Sequence, residues 1–413
     1  MKLAVIALRN LTRNRRRTLL SLMIVAAGTV GALLTSGFIR FSFEGLREAI
    51  IHGGLGHIEL APADDLDSSG SSPLRSGLPR LVGWQELRRE IETVPHVLAA
   101  GAVVQFTGMV SRQERSAAVL AVATEPDRER LMRFEVRMRG GADLPDAPPS
   151  EGEDGVLLGA VLARTLGAQP GDLVTLLGMT ADGTLNALDL RVTGLFTTGL
   201  QDVDSRIVKM HLVSAQRLLG TENVSSLVVG LDDTSRTSEA RAVLAHRLEG
   251  RQTALGVADW RMRAPFYGQV ESLYLGIFWF LGSVIFVLVC LSTSNTLMMT
   301  VMERVREIGT LLAIGTSRAQ IAVIILLEAI WLGLLGALTG DILGVALVAA
   351  INAIGIQMPA PPGATGGIEL HLANAPLDFV AAVGMMLAIL GLAAVVPVVI
   401  SVRLRIADAL RHV

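Results

Sequence analysis

Four predominantly apolar stretches, Thr18–Ile39, Leu273–Met302, Ile321–Ile351 and Leu377–Val402, constrain this 413-residue chain more than anything else in it. Each exceeds the ~20 apolar residues that a helix needs to cross the hydrocarbon core of a bilayer. They raise the hydrophobic share to 51%, and the apolar residues are clumped in them rather than spread. The fold class that follows is a membrane protein with four transmembrane α-helices.

Basic residues orient the spans. Of the 13 Lys and Arg outside segment 41–269, 12 precede span one (Lys2 to Arg17), lie between spans two and three (Arg304, Arg306, Arg318) or follow span four (Arg403, Arg405, Arg411). Arg40 alone falls on the other side. Positive residues stay cytoplasmic, so both termini and the 2–3 loop are expected inside and segment 41–269 outside. That segment carries 23 basic against 30 acidic residues, which argues against nucleic acid as a partner. Span one has the basic start of a signal peptide, but its apolar core exceeds the usual ~7–15 residues and no small-x-small cleavage site follows, so it is expected to remain as an anchor. The lone Cys290 lies in span two, and the outer segment must therefore be held by a buried core rather than a disulfide.

The expected organisation is 1–40, a cytoplasmic amphipathic segment and transmembrane helix 1; 41–269, a large α+β extracytoplasmic domain inserted between helices 1 and 2; and 270–413, helices 2–4. Within 41–269, residues 61–80 and 140–155 read as Gly-, Pro- and Asp-rich loops, the second as a subdomain joint. Helices are expected at Trp84–Thr93, Ala160–Leu166, 214–219 and 236–249. Strands are expected at 97–106, 117–123, Leu173–Leu177, 189–196, 206–213 and 224–231. Trp260, Tyr267 and Tyr274 fit either an interfacial aromatic belt or ordinary packing.

No enzyme chemistry is legible. A phosphate-cradling loop ends in Gly-Lys-Ser/Thr, and the only lysines, Lys2 and Lys209, sit in Met1-Lys2-Leu3 and Val208-Lys209-Met210. No His-Glu-x-x-His or Gly-x-Ser-x-Gly is present, and His52 with His57 is a weak metal signal. The chain is expected to bind no cofactor and no metal of its own. The informative stretch is 303–320. It opens as a helix in which Glu303 and Arg306, and Arg304 and Glu307, stand three apart and can pair. Gly309 and Gly315 then bracket Leu311, Leu312 and Ile314, an apolar patch rimmed by charge that reads as a docking surface for another protein. A charged loop lying along lipid headgroups is the bland alternative.

Here the sequence resembles the FtsX-like permease family, in which MacB-type exporters and the lipoprotein-releasing LolC and LolE proteins fall. Glu303-Arg304-x-Arg306-Glu307-Ile308-Gly309 followed by Ala313-Ile314-Gly315 is similar to that family's most specific motif. Ala7 to Leu19, Gly56-His57-Ile58-Glu59, Val156-Leu157-Leu158-Gly159 and Gly194-x-Phe196-x-Thr198-Gly199 extend the likeness over most of the chain. At the C-terminus Pro397 and Ala409-Leu410-Arg411 match, whereas Val399-Ile400 and Ile406 depart from the pattern. The resemblance implies a permease in the bacterial inner membrane. It implies a dimeric cytoplasmic ABC ATPase that uses ATP and Mg, a second permease chain, identical or paralogous, and a periplasmic substrate or carrier protein. Segment 303–320 would be the coupling element, moving the outer domain to release or export a lipoprotein or other amphiphile. The rivals are a non-transporting regulator of a periplasmic hydrolase and a four-span receptor; the size of the outer domain favours transport, and a receptor leaves the 303–315 motif unexplained.

Two acids in span three, Glu328 and Asp341, are candidates for function because ionisable groups at membrane depth are costly. Gly333, Gly336, Gly340 and Gly344 recur at three- or four-residue spacing and are expected to form a seam between permease chains.

Overall fold

A computed structural model describes residues 6–7, 9–11, 15–67, 78–134, 137–249, 254–358 and 368–403. Half of the expected 61–80 loop (68–77), Arg13 in the basic run, and the tail with Ile406 and Ala409-Leu410-Arg411 lie outside the described residues; 61–67 are not loop but the end of a strand and a short helix, Ala63–Asp67. The chain divides into two units, one of Met1–Glu44, Glu271–Gln357 and Glu369–Val413, the other of Gly45–Val270 and Met358–Ile368.

The first unit is helical. Among the described residues, four helices are long and apolar enough to cross a membrane: Arg16–Leu55, Pro265–Glu303, Arg318–Ile354 and Pro376–Arg403. The first of them ends in a π turn, Ile51–Leu55, made possible by Gly54 at φ 117. The third begins at a capping box in which Ser317 accepts from the Gln320 amide and the Gln320 side chain accepts from the Ser317 amide, closing two otherwise open helix donors. The fourth breaks at Ala394 between Pro376–Ala393 and Val395–Arg403. Pro397 has no N–H to give to the carbonyl four residues back, so the ladder is interrupted there.

The glycines of the third helix are used inside the chain. A Cβ on Gly336 would meet Val25 Cβ at 2.7 Å, one on Gly340 would meet Thr29 Cβ at 2.6 Å, and one on Gly344 would meet Leu33 Cδ1 at 2.7 Å. Gly333 faces Leu390 of the fourth helix at 3.2 Å. The expected seam between two permease chains is therefore corrected: the stripe lets the first and fourth helices approach the third, as small residues do when backbones must come close in lipid. Val25, Val289, Leu332, Ala337, Met386, Ile389 and Leu390 fill the centre of this bundle.

The second unit is built on a ten-stranded mixed sheet. Its strands are β1 (Ile58–Pro62), β2 (Val97–Arg112), β3 (Arg115–Thr124), β4 (Arg137–Gly141), β5 (Gly155–Gly159), β6 (Leu173–Met179), β7 (Leu185–Thr197), β8 (Ile207–His211), β9 (Ser226–Leu231) and β10 (Leu255–Asp259). The pairing runs β10-β1-β9-β2-β3-β8-β5-β7-β4, and β6 bridges β2 and β7. The path β2-β3-β8-β5-β7-β6 thus returns to β2, a closed circuit. β2 is long enough to serve two neighbourhoods: residues 97–103 pair with β9, and 104–112 pair with β3. The segment 140–155 is not a subdomain joint, because β4 and β5 on either side of it both pair with β7. The change of partners within β2 is what separates the two halves of the sheet.

Helices at Trp84–Ile91, Ala160–Leu166, Leu212–Leu219 and Thr237–Leu248 lie where the amphipathic pattern places them. Leu158, Leu162, Leu176, Leu190, Val208 and Leu219 are fully buried in the core between helices and sheet. Trp260 and Tyr267 are 4% and 5% exposed and meet edge to face at 4.8 Å, so packing, not an interfacial belt, explains that pair. Tyr274 belongs to the helical unit, where it meets Phe43 at 6.2 Å.

Candidate functional site

The segment 303–320 is organised by one break. The helix Pro265–Glu303 stops at Arg304, whose φ of −109 and ψ of 12 leave the helical region, and a nine-residue helix Val305–Ala313 follows. That short helix is strongly two-faced. Val305, Ile308 and Gly309 are buried on one side, and Ile308 packs in a cluster with Val301, Ile321 and Ile325, against which Leu312 also rests. Arg306, Glu307, Thr310 and Ala313 are exposed on the other. Ile314 just beyond is 74% exposed, and Gly315 at φ 98 turns the chain towards the third spanning helix. Of the apolar residues assigned to a docking patch, Leu312 thus rests inward against the cluster that holds Ile308, Leu311 is half-buried, and Ile314 is the one that stands clear.

The charges pair differently from the spacing rule. Arg304 and Glu307 do pair, at 3.0 Å, but Glu303 takes Arg17 from the start of the first helix instead of Arg306. Arg304 reaches further: its Nη1 donates to Glu328 Oε1 at 2.9 Å. The same oxygen accepts from Asn10 Nδ2 at 2.6 Å. Glu328 is 3% exposed, among Ile325 and Ala329, so its carboxylate has been removed from water and is compensated by these two donors. The structure therefore gathers Asn10 and Arg17 from the N-terminal segment, Glu303, Arg304 and Glu307 from the break, and Glu328 from the third helix. Asn10 and Arg17 were not singled out by the sequence reading, since a partner 318 residues away leaves no local pattern. Asp341 stands apart from this cluster; its Oδ1 is buried and accepts no hydrogen bond among the described residues.

In the sheet unit, His57 Nδ1 accepts from the Leu231 amide at 3.1 Å and its Nε2 faces Thr234 Oγ1 at 3.1 Å. Burial, and then the charge of neighbouring His52, push the His57 pKa down to about 4. Among the described residues no group of three or more His, Cys, Asp or Glu side chains is arranged to hold a metal.

Four helices long and apolar enough to span a membrane, a break that presents a short two-faced helix and a large mixed sheet fit a multi-pass membrane permease. Residues 18–247 match the MacB-like periplasmic core domain, and residues 279–406 match the FtsX-like permease C-terminal domain. The chain belongs to this MacB-type, FtsX-like ABC permease family. It is 27% identical over 271 residues to the lipoprotein-releasing system transmembrane protein LolC of Neisseria meningitidis, covering 64% of each chain. It is 29% identical over 167 residues to the macrolide export ATP-binding/permease protein MacB of Hyphomonas neptunium, covering 39% of this chain and 25% of that one. The match thus spans less than two thirds of either relative. Among solved structures, the periplasmic region of MacB from Actinobacillus actinomycetemcomitans aligns over 54% of this chain and 95% of its own, at 12% identity and a TM-score of 0.36.

Proposed function

We propose that the chain is the membrane subunit of an ABC-type complex in the bacterial inner membrane, with both termini cytoplasmic. The domain inserted between helices 1 and 2 lies in the periplasm. A separate, dimeric cytoplasmic ATPase seats on the helix Val305–Ala313. ATP-driven movement of that helix passes along the spans to the periplasmic domain, which releases or exports a lipoprotein or other amphiphile. A second permease chain completes the assembly.

The observation that carries this reading is the division of labour within nine residues. Val305 and Ile308 root the helix in the bundle, while Arg306 and Thr310 face outward and Ile314, just beyond the helix, stands clear. A loop lying on headgroups has no need of such a root. Positive residues are concentrated on the side where the helix is placed, as cytoplasmic loops require.

The test is co-purification with the partner ATPase. Ile314→Asp combined with Arg306→Glu should cut recovery of the ATPase at least tenfold at equal permease level, because reversed charge and lost apolar contact fall on one surface. The purified parent chain alone should turn over no ATP. Parent-like recovery of the ATPase by the double variant, or nucleotide hydrolysis by the lone chain, would overturn the reading.

A further inference from the structure

We propose that Glu328 is a positioning residue that ties the N-terminal segment and the helix Val305–Ala313 into one body, so that the first and third spans are driven together. The inference deepens the coupling reading and rests on it.

Three observations carry it. Glu328 Oε1 is a single acceptor shared by two donors, Arg304 Nη1 at 2.9 Å and Asn10 Nδ2 at 2.6 Å. Those donors come from separate segments, one at the break before the short helix and one ahead of the first span. The shared acceptor is buried, at 3% exposure, where a carboxylate is tolerated only while its partners stay in place. If the short helix moved without the N-terminal segment, Glu328 would lose one of its two donors inside an apolar bundle. The cost of an unpaired buried charge therefore penalises separate movement. Arg17 on Glu303 adds a second link between the same two segments, nearer the surface.

A carboxylate serving only to neutralise Arg304 would not need Asn10, and this separates the two roles. Spin labels at Ile6→Cys and Thr310→Cys, on a Cys290→Ala background, report the distance between the two segments without any transported substrate. For the parent chain assembled with its ATPase, we expect one narrow distance distribution that is the same without nucleotide and with ATP plus vanadate. Asn10→Asp sets one carboxylate against another and should at least double the width. Asn10→Asp with Glu328→Gln exchanges amide and carboxylate, keeps the net charge of the cluster and a donor–acceptor pair between positions 10 and 328, and should restore the parent width. A width unchanged in Asn10→Asp, a double variant no narrower than the single, or a parent distribution that shifts with nucleotide would each overturn the tie. The widths are also read in the lone permease, so they stand even if the ATPase fails to co-purify, a failure that counts against the coupling reading alone. Should Asn10→Asp yield no protein, Asn10→Ala, which removes the donor and adds no charge, is expected to broaden the distribution by at least half.

Discussion

Leu158, Leu176 and Val208 in the sheet unit have no exposed surface, and the charges inside that unit are paired: Arg263 with Glu59 and Lys209 with Glu129, each at 2.6 Å. The helical unit is the reverse. Trp279 is 78% exposed, Ile342 70% and Val380 68%, while its centre holds glycines set against neighbouring side chains and one buried carboxylate, Glu328. Apolar surface on that scale in water would drive association. On the outside of a bundle in lipid it costs nothing, and cohesion must come from close packing instead. The two units are thus written for different solvents. The sheet unit is held by burial of apolar area, and the helical unit by shape at a few glycines and by one polar cluster around Glu328.

The largest expected effect is all-or-none and tests the two-solvent reading directly. On a Cys290→Ala background, a cysteine at Asp182, in an exposed turn of the sheet unit, should react fully with a membrane-impermeant thiol reagent in outer-membrane-permeabilised cells. One at Ser317 should react only after lysis. Labelling at Ser317 in intact cells would mean that the charge-based orientation is inverted.

Next in size is the glycine seam. Gly340→Leu forces a side chain onto Thr29 and the Ala26 carbonyl, and overpacking of this kind typically costs about 1–3 kcal/mol. Gly276→Leu, in a helix of the same unit but with nothing within 4 Å of its Cβ, should shift stability by no more than about 0.5 kcal/mol. Thermal unfolding of the intact chain in detergent compares the two. Equal melting temperatures would mean that cohesion in this unit does not depend on the seam.

What the sequence made legible divides along the same line. Four spans could be read because apolar run length alone decides them. The helices of the sheet unit could be read because 3.6-residue patterns survive in short segments. β1, β4, β5 and β10 are missing from the expected strands, since each is short and its partners lie elsewhere in the chain. β2 was read six residues short, because Thr107 and Met109 alternate outward on a strand that changes partners midway. In the candidate site, Arg304 to Glu307 is a local pair and was found. Glu328 was flagged only for the cost of its charge, because nothing in one dimension brings it to Asn10. The glycine stripe announces close packing, but a one-dimensional pattern cannot name the partner, which is the first helix of the same chain and not a second chain.

An intermediate effect is expected from acid. The buried His57 is neutral, its Nδ1 already accepting the Leu231 amide, so protonation would cost that bond. His52 and Arg47 oppose the charge, while Glu48 and Asp232 favour it less strongly than burial disfavours it. With a folded pKa of about 4 against 6.5 unfolded, the unfolded chain binds the proton first. The contribution is therefore whole above pH 6.5 and is lost progressively as pH falls towards about 4. His211 is shifted in the same direction by burial and adds to the slope. Melting followed by tryptophan fluorescence across this range should show a fall that His57→Gln makes shallower. An identical slope in the variant would assign the acid loss to carboxylates instead.

The smallest effect belongs to Arg17 and Glu303, and it sharpens the contrast within the cluster around Glu328. Their side chains are 43% and 44% exposed, against 21% and 4% for Arg304 and Glu328. An exposed ion pair contributes about 0–1 kcal/mol, because water screens the attraction and two long side chains must be held still. Breaking a buried pair commonly costs about 3–5 kcal/mol, most of it from the charge left behind. A double-mutant cycle with Arg17→Ala and Glu303→Ala, read as melting in detergent, should therefore give a coupling below about 1 kcal/mol that shrinks with added salt. Arg304→Ala should cost several times more and be nearly indifferent to salt. A coupling at Arg17–Glu303 that is large and insensitive to salt would mean that this pair is shielded from water in the folded chain. This end of the bundle would then be closed by two buried links rather than one, and Glu303 would be unavailable to the proposed ATPase.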